Sequence, residues 1–130
     1  MENILVPVSP GELLDKITIL EIKSERMTDP EKLANVRLEL ELLTDTWQQA
    51  VQTDAMIERI HGDLKRINEA LWVIEDDIRD KELSGEFDAE FIELARSVYV
   101  TNDQRAQAKK HLNTHLGSAI VEEKSYKDYR

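Results

Sequence analysis

The sequence predicts an all-α protein: a four- to five-helix bundle of antiparallel hairpins with a short extended N-terminal arm. Three observations predict it. Ile57, Ile60, Leu64, Ile67, Leu71, Ile74 and Ile78 repeat at alternating steps of three and four, an apolar seam along one helix. Leu33, Val36, Leu40, Leu43, Trp47 and Ala50 repeat that spacing on a second. Helix-start signals at Ser9-Pro10 and Asp29-Pro30 then divide the chain into separate elements.

Residues 1–8 alternate Ile4, Val6 and Val8 around Pro7, which reads as an extended arm. Ser9-Pro10-Gly11-Glu12 places serine at the N-cap, proline first in the helix and glutamate third, a capping box. The helix it starts should reach about Met27, with Leu13, Ile17, Leu20 and Met27 on one face and Ile19 and Ile22 on another. Asp29 caps the second helix, and the short turn between the two makes them an antiparallel hairpin. The pattern weakens at 52–54, so a turn precedes the Ile57 helix, which Gly85 ends. Asp88 can cap a fourth helix, with Phe87 and Ile92 as a hydrophobic staple. Thr101-Asn102-Asp103-Gln104 offers another capping box, which predicts a fifth helix over 102–116 closed by Gly117; one continuous helix through Asn102 is the alternative. A charged tail follows over 118–130.

Composition bounds the rest. At 130 residues, the chain is sized for a single helical domain spanning 1–130. A net charge of -10 argues against nucleic acid and anionic membranes as partners, since both want a basic surface. Although 34% of residues are charged, 41% are hydrophobic and regularly patterned, so the chain should fold. There is no cysteine, no run long enough to span a membrane and no basic signal-peptide start. The expectation is a soluble, cytoplasmic protein.

Beside the apolar seam runs a second row: Lys65, Asn68, Trp72, Glu75, Arg79 and Glu82. Covered by neighbours, its amide, indole, carboxylate and guanidinium would share one wall, where Glu75 or Asp76 could act as base or metal ligand. Alternatively, Glu75 and Arg79 form an ordinary surface pair worth well under about 1 kcal/mol. Charge is also uneven. Residues 68–93 carry ten acids and two bases, whereas 96–115 carry four bases and one acid, so the two segments should face each other. Arg105 and Lys109, one turn apart, could hold a phosphate or carboxylate.

Other pairs are thinner. Glu12 and Asp15, three apart, could share a magnesium ion, and Glu90 and Glu93 repeat the spacing. In style these paired acidic motifs resemble those of all-helical nucleoside triphosphate pyrophosphohydrolases. His111 and His115 have metal-compatible spacing but no third ligand nearby.

Four segments stand out together: Ser9-Pro10-Gly11-Glu12-Leu13-Leu14-Asp15-Lys16, Leu71-Trp72-Val73-Ile74-Glu75-Asp76-Asp77-Ile78-Arg79, Asn102-Asp103-Gln104-Arg105-Ala106, and Glu122-Glu123-Lys124-Ser125-Tyr126. The chain resembles a bacterial family of small helical proteins known only as a domain of unknown function. That resemblance implies no activity, but directs attention to Glu12, Asp15, Lys16, Trp72, Glu75, Asp76, Arg79, Asn102, Asp103 and Arg105.

Two functional expectations follow. The first is a helical binding or interaction module that self-associates as a homodimer, because Ile19, Ile22, Leu38 and Leu42 leave apolar surface to bury. Its ligand-binding residues would be Lys16, Asn68, Trp72, Arg79, Asn102, Asp103, Arg105 and Lys109, with an anionic small molecule as a further partner. The second is a magnesium-dependent phosphohydrolase acting on a nucleotide or sugar phosphate. Glu12, Asp15, Glu75 and Asp76 would then hold the metal, and Glu75 and Asp76 are the catalytic candidates.

Overall fold

A computed structural model describes residues 1–129, and the last residue of the expected tail, Arg130, lies outside the described residues. Among the described residues four helices follow one another: α1 (Pro10–Arg26), α2 (Pro30–Ala50), α3 (Ala55–Ser84) and α4 (Ala89–His115). Their starts are chemical. Ser9, Asp29, Asp54 and Asp88 each accept a backbone N–H of the first turn, from Glu12, Glu31, Ile57 and Phe91 respectively. Gly85 ends α3 at φ 67°, a left-handed position that glycine occupies without strain. Among the described residues, no helix is long and apolar enough to cross a membrane.

Two local expectations are corrected. No fifth helix begins at Asn102, because α4 runs unbroken from Ala89 to His115. The alternative of one continuous helix through Asn102 holds: Thr101 is buried in mid-helix, where its side chain packs instead of capping a new start. Phe87 packs edge-on against Phe91, with ring centroids 5.2 Å apart, while Ile92 is exposed, so the expected Phe87–Ile92 staple gives way to an aromatic pair.

α1 is the hub. It packs on all three other helices, α2 packs on α1 alone, and α3 packs on α4. The core joins Leu13, Leu14 and Ile17 of α1 to Trp47, Ile57, Ile60, Leu64 and Leu112. Ile22 is buried as well, outside that cluster, and is not left over for a partner, whereas Leu38 and Leu42 on α2 are exposed. The long seam of α3 divides. Ile57, Ile60 and Leu64 are buried, but Ile67, Leu71, Ile74 and Ile78 are only half-buried. No residue of 69–100 is buried: the outer halves of α3 and α4 extend past the core, covered chiefly by each other and touched by α1 and the tail at points such as Arg26–Glu69 and Tyr99–Tyr129.

Glycine marks the closest approach. A Cβ on Gly11 would lie 2.6 Å from the Lys109 carbonyl oxygen and 2.9 Å from Asn113 Oδ1, so α1 and α4 meet backbone to backbone. Gly62, in mid-α3, would bring its Cβ no nearer than 3.4 Å to the flexible Arg66 guanidinium. The two substitutions should therefore differ in sign. Urea denaturation should show Gly62→Ala stabilising by about 0.5–1 kcal/mol through helix propensity. Gly11→Ala should destabilise by about 1–3 kcal/mol, because α4 must move.

Candidate functional site

The site is built on a buried carboxylate. Asp15 is 1% exposed, and Arg105 grips it with both arms of the guanidinium fork: Nε donates to Oδ1 at 2.8 Å and Nη2 to Oδ2. Asn68 Nδ2 donates to Asp15 Oδ1 and to Thr18 Oγ1, both at 2.9 Å. Thr18 Oγ1 donates to the Asp15 carbonyl at 2.8 Å. Burial by itself would raise the Asp15 carboxyl. The hydrogen bonds from Arg105 and Asn68, with the charges of Arg105 and Lys109, outweigh it and hold the carboxyl below its ordinary value. The fork in turn holds the Arg105 guanidinium above its own.

One turn along α4, Lys109 Nζ donates to Glu12 Oε2 at 2.7 Å and lies 3.0 Å from Glu122 of the tail. Burial pulls the Lys109 ammonium down, but these two carboxylates more than reverse it. A further turn on, Gly11 N donates to Asn113 Oδ1 at 2.7 Å. Arg105, Lys109 and Asn113 thus fasten α4 to α1. The basic segment was expected to face the acids of α3; its two central cations pair instead with α1, since Asp15 and Glu12 lie opposite them. Lys81 is the cation that meets the acids 86–90, about 3.1 Å from Glu86, Asp88 and Glu90.

Above this network a groove of about 490 Å³ opens between α1, α3 and α4. Ile19, Leu71 and Trp72 give it apolar surface over the buried Ile22, while Asn68, Glu75, Asp76, Arg79, Asn102 and Arg105 supply polar groups. Arg79 Nε donates to Glu75 Oε2 at 3.2 Å, an exposed pair. Asn102 and Arg105 also line a second groove of about 420 Å³, shared with Tyr99, Asp103, Lys109 and the tail residues Lys124 and Tyr126. The tail is held there by Glu122 and by Tyr129, whose ring meets Tyr99 edge-on at 4.8 Å.

The fold brings together Asn68, Trp72, Glu75, Asp76, Arg79, Asn102 and Arg105 at the first groove, and Asp103 and Lys109 at the second. Lys16 is exposed and lines neither. The four carboxylates considered for magnesium do not converge. Glu12 is taken by Lys109 and Asp15 by Arg105, while Glu75 and Asp76 stand at the groove; among the described residues, no three His, Asp or Glu side chains are placed to hold a metal. His115 pairs with Asp54 at 2.8 Å and not with His111. Thr18, Asn113 and Glu122 were not foreseen from the sequence. The four-residue steps from Arg105 to Asn113 were the one signal that could have suggested Asn113.

A family profile, Family of unknown function (DUF6165), matches residues 4–129. The chain belongs to this family. No curated protein and no solved structure matches it.

In this DUF6165 chain, the Asp15–Arg105 pair should control stability. Arg105→Met, which strands a buried carboxylate, should cost about 3–5 kcal/mol in chemical denaturation. A depressed carboxyl contributes stability above its unfolded value of about 3.9 and loses it as pH falls through the lower folded value. Asp15→Asn should therefore be less stable near neutrality and show a flatter loss of helicity below about pH 4, followed by circular dichroism.

Proposed function

We propose that this protein is a helical interaction module that self-associates, using the surface around Trp72 and Arg79. One observation carries the reading: residues 69–100 contain no buried residue, although Leu71, Ile74, Ile78, Leu94 and Val98 keep the spacing of a packed seam. Two helices alone cannot enclose such a seam, and a partner surface completes it. Val73, Leu83, Phe87 and Ile92 add exposed apolar groups to the same extension, and Leu38 and Leu42 extend the exposed apolar surface to α2. The arrangement is read as two antiparallel hairpins within one domain spanning 1–130. The contacts of α1 with α4, which run from Gly11–Asn113 to Asp15–Arg105, agree with opposed directions. A cytoplasmic setting fits a sequence with no cysteine.

An anionic small molecule has weaker support, because Arg105 and Lys109 already hold carboxylates of the chain itself. A magnesium-dependent phosphohydrolase is likewise disfavoured, since Glu12 and Asp15 are committed to those same cations.

Light scattering should give about twice the 15.0 kDa chain mass. Trp72→Ala should raise the dimer dissociation constant about 30-fold, the size expected of a central aromatic anchor, while leaving helicity intact. A monomeric mass at every concentration would sink the proposal.

A further inference from the structure

We infer that the groove beside Trp72 receives residues 1–8 of a second copy of this chain. The inference names the occupant of the self-association surface proposed above and rests on that reading. Two apolar features without cover meet in it.

The first is the N-terminal segment. Residues 1–8 form neither helix nor strand, and all eight are exposed, with Ile4 at 77% and Leu5 at 91%. Pro7 fixes its own backbone and lacks an N–H, so the segment cannot be absorbed as further turns of α1. Ile4, Leu5, Val6 and Val8 can be covered only by a surface that the segment itself does not supply.

The second is the groove, which prolongs the row on which α1 itself docks. His61 and Asn68 of α3 take Glu21 and Thr18 of α1 at 2.7 and 2.9 Å. At the same helical spacing, the row continues as Trp72, Glu75 and Arg79 into the open groove. What α1 covers at one end is left uncovered at the other. An extended segment brings backbone N–H and C=O groups that need partners once buried. Asn102 can donate and accept, Asp76 accepts and Arg79 donates, so the groove edge supplies both kinds.

Charge selects this segment. Two copies at -10 each repel, and contact is easiest where charge is least. Residues 1–8 carry a single charged side chain, Glu2, in a chain that is 34% charged. The segment does not fold back onto its own chain. Gly11 is fastened to Asn113, and the groove residues Arg105 and Asn102 lie about 12 and 16 Å back along α4 at about 1.5 Å per residue. The segment is nevertheless exposed over its whole length, so it leaves its own groove open to the segment of a second copy. One segment in one groove falls short of the roughly 1,200 Å² that stable interfaces bury, and two-fold exchange counts the contact twice.

The absence of cysteine from the sequence allows a direct trap. Two differently tagged chains, Leu5→Cys and Asp76→Cys, are mixed and oxidised, with Leu5→Cys and Lys32→Cys as the control pair. Light scattering follows Leu5→Asp in parallel. The expected result is a disulfide joining the two tags well above the control, with Leu5→Asp raising the dimer dissociation constant tenfold or more. A dimer that gives no such disulfide and is indifferent to Leu5→Asp overturns the exchange and leaves self-association standing. A disulfide formed only within a single chain carrying both cysteines overturns it in favour of the chain's own groove. A monomer at every concentration overturns both readings.

Discussion

The structure depends on one buried carboxylate. Moving Asp15 out of water costs several kcal/mol, and that cost is offset only if its oxygens are met with good geometry. Arg105 meets them with a planar fork and Asn68 with an amide, so three helices are tied at one point. A fork tolerates little rotation, which fixes α1 against α4 both along and around its axis. The close approach at Gly11 and the Lys109–Glu12 pair follow from that register. Glu122 joins the same cation, so the tail is anchored by the network as well.

Because α1 is the hub, its length sets the extent of the core. It has 17 residues, or about 25 Å of helix, against 30 residues and about 45 Å for α3. The short helix therefore encloses one end of the long one. Past Asn68, α3 and α4 face mainly each other, and the half-buried seam and the open groove are both consequences of that shortfall. The apolar surface of this extension, with Val73, Leu83, Phe87 and Ile92, lies where cover by the central helix gives out.

Much of the fold was legible because helix boundaries are local chemistry. Ser9, Asp29 and Asp88 cap helices, and Gly85 ends one, with partners no more than a few residues away. The reading went astray where a local signal had a tertiary competitor. Thr101-Asn102-Asp103-Gln104 can start a helix, but Thr101 is buried within α4, which runs on through it unbroken. The Glu12 carboxylate, expected to close a capping box, is drawn to Lys109, 97 positions away. For the candidate site, the row Asn68, Trp72, Glu75, Arg79 could be read as one stripe because helical spacing alone places it. Its neighbours across the groove could not, since Ile19, Ile22 and Asn102 arrive from other helices.

By itself the sequence determined the helical class, the positions of the caps and the two stripes along α3, all of which follow from spacing and short-range hydrogen bonding. Tertiary structure decided which charges were spent. Glu12, Asp15, Arg105 and Lys109 looked equally available for metal or phosphate while their neighbours were unknown. Burial makes an unpaired charge costly, so packing α1 against α4 committed all four to each other. Only the three-dimensional arrangement could show that the groove beside Trp72 remained open.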